Sequence, residues 1–527
     1  MNKPRNILVL ADHHQKEVKT LFVLLSMIFI MAYGFYRIIL KNNFRFLSSG
    51  SVIAVYLLLC ALWAGASIFL HFALYRKRLE LHIIAACILP VFGLFYFLAF
   101  TPNTVPDELY HFASAYKVSN ALLFVQQPLD PMSIPMRQSD ISFLDTILPN
   151  SVNVDLYDFE KSYYIVQRSA DLICKDNSIG LFYSQSSIEN APLCFFASGI
   201  GITIARMLNL GPVYLYYAGQ LMNLMVTIAS FCLAIRLTPV FKESFFVMGM
   251  LPIVLHEAAS YSYDPIVIST AVLFSALLLE AVFSENELTI TRIVFMSVLS
   301  AVLAPSKIVY FPLVILTFLI PKEKFGARNH MLIKCIIAGA GLLSLEILQV
   351  TRIVFFSATT PVVENYSISW ILSNPLESID IFIRTIFVYG EFYMTTLVGS
   401  SLAWLQVDIP FPVYAGFLIL LFITPLKQKK TDPSFKFSSK LVTAFILMVS
   451  AVLVMLSMFV ASTWAGSEII LQVQGRYFLP LLPFAFWIIR NDRFTITPET
   501  GKNLIFATNY VGFVYAGYCF LHLLYII

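Results

Sequence analysis

The chain has 527 residues, of which 58% are hydrophobic and only 13% are charged. Soluble globular proteins carry about 25% charged residues, so this composition excludes a soluble enzyme, a disordered chain and a fibre. The net charge of +4 is too small to indicate nucleic-acid binding. The seven cysteines show neither CxxC nor Cys/His metal-site spacing. The sequence therefore predicts an integral membrane protein.

The order of apolar stretches predicts an all-α polytopic fold with about 13 transmembrane helices, since a bilayer is crossed by about 20 apolar residues. The predicted spans are 20–40, 51–75, 83–100, 213–235, 243–258, 262–283, 289–304, 307–320, 331–353, 410–426, 441–462, 476–490 and 503–525. The apolar stretches 191–208 and 381–400 are expected to lie along the outer surface or to dip into the membrane. The first span is not expected to be cleaved, because it lacks a small-x-small site and more spans follow it.

Lys and Arg residues predict the orientation, because they concentrate in cytoplasmic loops. The basic residues alternate consistently if the N-terminus is cytoplasmic and neither 191–208 nor 381–400 crosses. A crossing by either stretch would invert every later loop and place the cluster from Lys427 to Lys440 outside. The sequence therefore predicts a cytoplasmic N-terminus and a cytoplasmic Lys427–Lys440 loop.

Three segments are predicted: an N-terminal three-span segment (1–100), an extracytoplasmic loop with juxtamembrane helices (101–212) and a C-terminal multi-span region (213–527). The hydrophilic part of the loop is long for a structureless connection, so we expect a small folded subdomain there. Cys174 and Cys194 near its end are compatible with a disulfide and equally with two unpaired thiols.

An acidic segment, Pro106-Asp107-Glu108-Leu109-Tyr110-His111, follows the third predicted span. Proline suits the first position of a helix, and acidic residues suit its first turn. Asp107 and His111 are four residues apart, so they are predicted to share a helix face. An Asp, a Glu and a His at the membrane surface could supply a general base or bind a divalent cation. An N-capping Asp beside a solvated Glu would explain the same spacing.

Further polar residues gather at the ends of predicted spans. Ionisable groups at membrane depth are costly and usually face the protein interior or a cavity. An interfacial anchor is the alternative for each, and Tyr310 and Trp404 taken singly are typical anchors. All of these residues fall on the outer side, although the orientation rests on Lys and Arg alone, which favours one shared cavity. They are His256, Glu257, Asp264, Lys307, Tyr310, Trp404, Asp408, Gln474 and Arg476.

Several of these segments resemble a family of uncharacterised bacterial polytopic membrane proteins over about residues 85–490. The resemblance lies in Pro106-Asp107-Glu108-x-x-His111, Lys307 with Tyr310, Trp404 to Pro410 and Gln474-Gly475-Arg476-Tyr477-Phe478-x-Pro480. That family is similar to the GT-C glycosyltransferases, such as aminoarabinose transferases, protein mannosyltransferases and oligosaccharyltransferases. Those enzymes place an acidic residue in the first large outer loop. Here that loop follows the third span, so the first two spans resemble an N-terminal addition.

The resemblance implies a glycosyltransferase of the bacterial cell membrane. It would move a sugar from a polyprenyl-phosphate-linked donor to a cell-envelope polysaccharide or lipid on the outer face, with no nucleic acid involved. A divalent cation is left open as a cofactor. The implied roles are general base for Asp107, assisted by Glu108 and His111; donor phosphate binding for Arg476, Lys307 and Tyr310; and cavity or acceptor binding for His256, Glu257, Asp264, Trp404, Asp408 and Gln474.

Two other functions fit the same residues. A transporter or flippase of a lipid-linked saccharide would use the same basic residues and cavity without making a bond. Transporters often carry inverted repeats, and the sequence shows no internal repeat. A non-catalytic scaffold for envelope assembly would use the polar residues only to stabilise the fold.

Overall fold

The structure, a computed structural model, describes residues 25–39, 49–130, 132–147, 158–184, 192–355, 365–426, 432–491 and 495–526. Helices account for most of these residues, which is consistent with an all-α membrane protein. The helices are α1 (Leu25–Ile39), α2 (Ser49–His71), α3 (Leu81–Ala99), α4 (Glu108–Leu122), α5 (Gln138–Ile147), α6 (Phe159–Arg168), α7 (Phe196–Met207), α8 (Pro212–Leu237), α9 (Lys242–Gly249), α10 (Pro252–Ala258), α11 (Asp264–Phe283), α12 (Ile290–Ser306), α13 (Phe311–Ile315), α14 (His330–Phe355), α15 (Ile368–Ser373), α16 (Pro375–Thr396), α17 (Phe411–Ile423), α18 (Phe437–Ser462), α19 (Leu482–Ile489) and α20 (Pro498–Ile526). The strands of the described part form two antiparallel pairs, β1 (Ser133–Arg137) with β2 (Ile179–Tyr183) and β3 (Ser401–Leu402) with β4 (Val407–Asp408).

Within these residues, 7 helices are long and apolar enough to cross a membrane by length and composition. They are Val52–Lys77, Leu81–Ala99, Pro212–Leu237, Asp264–Phe283, His330–Gln349, Phe437–Ser462 and Glu499–Leu523. Shorter apolar helices are Leu25–Ile39, Leu193–Met207, Ile290–Ser306, Ile308–Leu319, Phe411–Ile423 and Gly475–Ile489. A membrane protein with several apolar helices is thus supported, whereas the predicted number of about 13 spans is not confirmed.

Prolines divide several of the predicted spans into shorter pieces. Proline lacks the N–H that a continuing helix needs, and it is favoured at the first helical position. The predicted span 243–258 is divided into α9 and α10, and Pro252 begins α10. The predicted span 476–490 starts as a 3₁₀ helix that contains Pro480 and continues as α19. The predicted span 307–320 is likewise divided into α13 and two flanking 3₁₀ turns.

Helix α11 forms the centre of the helical bundle. Of its membrane-length window, 78% is buried inside the protein, which is the expected position for a helix that is apolar on all sides. It packs against α8 and α12, and α12 packs against α14. A Cβ at Gly341 of α14 would press against Ser300 of α12, so the two backbones approach closely through small residues. The first residue of α11 is Asp264, and charged residues collect around it.

Residues of the predicted outer loop fold around a hydrophobic cluster of their own. Phe112 and Tyr116 of α4 pack there with Ile134 of β1 and Phe182 of β2, which lie opposite each other in the antiparallel pair. Tyr261, from the loop before α11, completes the cluster. The division of the chain into three segments stays a prediction. Both cysteines of this region, Cys174 and Cys194, are unpaired and buried.

The orientation in the membrane stays a prediction. The basic residues of the N-terminus and Lys427, Lys429 and Lys430 lie outside the described residues. The stretch 381–400 lies largely in α16, which is not among the candidate spans found in the described ranges. Within the stretch 191–208, Pro192–Phe195 form a 3₁₀ turn that is followed by α7.

Candidate functional site

Four charged side chains from four separate segments meet at one end of the bundle. Arg476 Nη1 lies 2.5 Å from Glu257 Oε1, and Arg476 Nε lies 3.6 Å from Asp264 Oδ2. The second oxygen of Asp264, Oδ1, lies 3.2 Å from Lys307 Nζ. These four residues are called the charge cluster below. They form three successive ion pairs in the order Glu257, Arg476, Asp264, Lys307. Buried charges are tolerated only when they are paired, and here each is.

The ends of helices bring these residues together. Asp264 lies in the first turn of α11, and Lys307 directly follows α12, so both charges complement the dipoles of their helices. Glu257 lies near the end of α10, and Arg476 follows Gly475 in a 3₁₀ helix. A Cβ at Gly475 would overlap the Tyr393 carbonyl oxygen of α16. Only glycine therefore allows this segment to bring Arg476 into the bundle.

Two tyrosine rings flank the ammonium group of Lys307. Its Nζ lies 4.6 Å from the centre of the Tyr263 ring and 4.3 Å from that of Tyr477, which are cation–π distances. Tyr310 donates a hydrogen bond of 2.7 Å to the backbone oxygen of Tyr477 and so fixes one of these rings. The side chain of Lys307 is 23% exposed and that of Arg476 only 8%. Lys307 is therefore the more accessible cation of the cluster.

Glu108 is fully buried at the start of α4. Its Oε1 accepts hydrogen bonds from Gln220 Nε2 at 2.8 Å and from the Tyr261 backbone N–H at 3.1 Å. Burial raises the pKa of Glu108 to about 7, although hydrogen bonds to its carboxylate act in the opposite direction. Glu108 is thus not the solvated first-turn acid of the alternative interpretation. It ties α4 to α8 and to the loop before α11.

Asp107, in contrast, is exposed. It is the residue before α4, its φ of +62° lies in the left-handed region, and its side chain does not cap the helix. Positive φ is uncommon for residues other than glycine, although Asp tolerates it better than most. Since Asp107 is exposed and not helical while His111 is buried, the predicted common helix face is not formed.

His111 packs beside the charge cluster, against the Tyr263 ring that flanks Lys307. The centre of its ring lies 5.0 Å from that of Tyr263, edge to face, and 5.6 Å from that of Phe195. Burial lowers the pKa of His111 to about 3, while the nearby Asp264 acts in the opposite direction. The imidazole is therefore neutral at physiological pH.

The other predicted cavity residues are spread around this centre. His256 is buried with its ring centre 4.5 Å from that of Phe100, and neither ring nitrogen has a hydrogen-bond partner in the part of the chain that the structure describes. Trp404 Nε1 donates to the Asn103 carbonyl oxygen at 3.1 Å, which links the β3–β4 hairpin to the loop before Asp107.

Asp408 and Gln474 hold outer positions. Asp408 is exposed in β4 and accepts a hydrogen bond of 2.8 Å from Ser401 Oγ within its own hairpin. Gln474 is half-buried, and its backbone oxygen accepts from the Tyr477 N–H at 3.1 Å, which starts the turn that carries Arg476.

Sequence reasoning missed three participants in the site. Gln220 holds Glu108, and Tyr263 and Tyr477 flank Lys307. A polar residue within the apolar stretch 213–235 was a signal for Gln220, because such residues usually face a protein interior. Both tyrosines adjoin charged residues that the sequence did single out, Asp264 and Arg476.

A divalent-cation site of protein ligands does not fit this geometry. Among the described residues, no group of three or more His, Cys, Asp or Glu side chains is arranged to hold a metal. Glu257 and Asp264 are already engaged by Arg476 and Lys307. A metal ion bound by these two carboxylates would therefore have to displace both cations.

Residues 89–485 match the family model DUF2142, described as a predicted membrane protein. The chain belongs to this family. The DUF2142 match begins within α3 and ends within α19, so it includes Asp107 and the whole charge cluster. Neither curated proteins nor solved structures give a match. None of these comparisons links this DUF2142 protein to the GT-C glycosyltransferases.

Proposed function

We propose that this DUF2142 protein is a GT-C-like glycosyltransferase in a bacterial cell membrane. It transfers a sugar from a polyprenyl-phosphate-linked donor to a cell-envelope polysaccharide or lipid on the outer face. The observation that supports this most is the position of His111, one helical turn after Asp107, against the Tyr263 ring that flanks Lys307. Asp107 is the exposed residue that precedes α4, and α4 carries His111.

Asp107 is the proposed general base. A base must be able to reach the hydroxyl proton that it removes, and the carboxylate of Asp107 is exposed at the start of α4. Glu108, bound to Gln220 and Tyr261, is a positioning residue that fixes this turn.

Lys307 is the proposed contact for the donor phosphate. It keeps exposed surface beside Tyr263 and Tyr477, whereas Arg476 is already bound to two carboxylates. Arg476 is accordingly proposed to orient Asp264, which in turn holds Lys307, instead of forming the bidentate phosphate contact expected from the sequence. Tyr310 acts through Tyr477, with which it is hydrogen-bonded.

The reaction proposed for these groups is one displacement. The acceptor oxygen forms a bond to the anomeric carbon while its proton passes to Asp107. The bond between the anomeric carbon and the phosphate oxygen breaks, and polyprenyl phosphate leaves with the electron pair. Its negative charge develops beside the ammonium group of Lys307, where a fixed cation stabilises it. The other residues proposed around the acceptor and the sugar are His256, Trp404, Asp408 and Gln474, while Glu257 and Asp264 hold the two cations.

Reconstituted protein tests this function with a polyprenyl-phosphate-linked sugar that carries a radioactive label in the sugar. Release of polyprenyl phosphate together with labelled acceptor supports the transferase. Asp107→Asn should lower turnover about 10²–10⁴-fold, because removal of a general base typically costs that much. Asp145→Asn, at an exposed acid of α5, is the matched control and should retain activity.

Each other outcome contradicts the proposal in a distinct way. Movement of the labelled lipid between leaflets without bond cleavage would identify a flippase. If neither cleavage nor movement is seen, and a cooperative thermal unfolding transition shows that the reconstituted protein is folded, the result would favour the scaffold. Turnover of Asp107→Asn equal to that of Asp145→Asn would remove Asp107 from the mechanism.

A further inference from the structure

Helix α16 carries a row of exposed apolar side chains on the face opposite its packed side. Leu376, Ile379, Ile383, Phe387 and Met394, called the apolar stripe below, are between 47% and 85% exposed. Their separations of three, four, four and seven residues place them on one face of the helix. The packed side carries Ile381, Thr385 and Tyr393, all buried.

A second row, of charged residues, runs beside the apolar stripe. Glu377, Asp380, Arg384 and Glu391, called the charged stripe below, are exposed. The first three directly follow Leu376, Ile379 and Ile383, and Glu391 lies seven residues after Arg384, so the four share one face. Arg384 pairs with Asp380 and with Glu468, each at 2.8 Å. Because of these charges, α16 is not one of the candidate membrane-spanning helices found among the described residues. Segregated apolar and charged faces are typical of a helix that lies in a membrane interface.

The packed side of α16 shows how the helix lies relative to the membrane. It is bound to residues 463–475, the connection between the candidate span α18 and the apolar helix Gly475–Ile489. Thr385 Oγ1 accepts from the Ile470 N–H at 2.8 Å, and Thr396 Oγ1 accepts from the Gly475 N–H at 3.0 Å. Since α18 and α19 pack together, their connection lies at one membrane face. A helix bound along this connection therefore lies along that same face.

The segment before α16 meets the end of the same span. Asn365 Nδ2 donates to the Ala461 carbonyl oxygen at 2.9 Å, and the Tyr366 N–H donates to the Thr463 carbonyl oxygen at 3.1 Å. Trp464, just beyond α18, is 54% exposed, and tryptophan is enriched at membrane–water interfaces. The segment that leads to α16 is thus fixed at the end of α18 that the exposed Trp464 marks.

We propose that α16 lies in the plane of the membrane surface, with its apolar stripe inserted among lipid acyl chains at the α18 end and its charged stripe in water. The charged stripe holds three acidic residues and one basic residue. Insertion therefore depends on apolar burial and needs no anionic lipid. The last turn of α16 also binds Gly475, so the lipid-bound helix sets the position of the segment that carries Arg476. This inference does not rest on the proposed transferase activity.

Spin labels measure the depth of each face in reconstituted full-length protein. Ser replaces Cys87 and Cys335, the exposed cysteines of the described residues. Single cysteines are then introduced at Leu376, Ile383 and Met394 of the apolar stripe and at Glu377 and Glu391 of the charged stripe. Each variant is labelled with a nitroxide in phosphatidylcholine vesicles. Collisions with oxygen and with a water-soluble nickel chelate give the depth.

The three apolar positions should share one depth of about 5–10 Å below the headgroup boundary. The two glutamate positions should be accessible to the nickel chelate. Addition of phosphatidylglycerol should leave these depths unchanged. A label at Met448, exposed near the middle of α18, provides a deep reference and shows that the protein is inserted.

Three results would overturn the proposal. A steady change of depth from 376 to 394, over about 27 Å at 1.5 Å per residue, would mean that α16 crosses the membrane. Exclusion of both oxygen and nickel chelate from the apolar stripe would mean that a second copy of the chain covers it. Nickel accessibility of the apolar stripe equal to that of the charged stripe would place the whole helix in water.

Discussion

The charge cluster and helix α16 both carry ion pairs, but in opposite surroundings. Arg476 is 8% exposed between Glu257 and Asp264, whereas Arg384 is 51% exposed between Asp380 and Glu468. A buried charge that loses its partner keeps the full cost of its desolvation. An exposed charge that loses its partner is simply hydrated. Two ion networks of similar connectivity should therefore respond very differently to the same substitution.

The largest effect is expected for Arg476→Ala, which leaves Glu257 buried without its cation. Loss of one partner of a buried pair costs about 3–5 kcal/mol, so the variant should unfold at a much lower temperature in detergent. Thermal unfolding followed by intrinsic fluorescence measures the loss. A double variant that also carries Glu257→Gln should recover part of the stability, because it removes the stranded charge.

Gly475→Ala tests the contact that joins the two regions. The added methyl group would overlap the Tyr393 carbonyl oxygen, so α16 and the segment before Arg476 must move apart. Overpacking of this kind costs about 1–3 kcal/mol. A nitroxide at position 394 should become more mobile in this variant. Gly390→Ala on the same helix, where an added Cβ would meet only Ile386 Cγ2 at 4.0 Å, should leave the mobility unchanged and should not lower the stability, since alanine favours a helix more than glycine does.

Glu108→Gln tests the buried carboxyl beside the cluster through its pH dependence. Its pKa is raised from 4.5 to about 7 in the folded protein. The folded state then binds the proton more tightly, so wild-type stability declines as the pH rises from 4.5 towards 7. Gln mimics the neutral form and lacks this decline. The unfolding temperature of Glu108→Gln relative to wild type should therefore be higher at pH 8 than at pH 5; an equal difference at both would contradict the raised pKa.

The smallest effect is expected for Arg384→Ala on α16. Its partners Asp380 and Glu468 are exposed, and exposed ion pairs contribute about 0.2–1 kcal/mol. The unfolding temperature should change by a small fraction of the change caused by Arg476→Ala. Equal losses in the two variants would show that burial does not distinguish the two networks.

Some of the site was accessible from the sequence because it depends on local chemistry. Asp264, Lys307 and Arg476 were selected as charged residues at the ends of apolar stretches, and they do meet. Pro252 was a visible sign that the predicted span 243–258 would be interrupted. Counting apolar residues alone hides such an interruption, because hydropathy does not register where the backbone hydrogen-bonding pattern stops.

The neighbouring acids of the outer loop show where local reasoning ends. The sequence offers Asp107 and Glu108 as adjacent carboxylates, but one is exposed and the other fully buried. The difference arises from Gln220, 112 residues away, which binds Glu108. A left-handed φ at Asp107 then turns that residue outwards, and nothing in the Pro106-Asp107-Glu108 segment specifies this turn.

The sequence by itself determined that this is a helical membrane protein and that Asp264, Lys307 and Arg476 lie at the ends of apolar stretches, because apolar content and proline act within each stretch. Only the tertiary structure decided which charges pair. Arg476 and Glu257 are 219 residues apart, and their contact depends on how α10 and the segment after α18 pack around α11. A buried charge must have a partner, but which partner it obtains is set by the packing of distant helices.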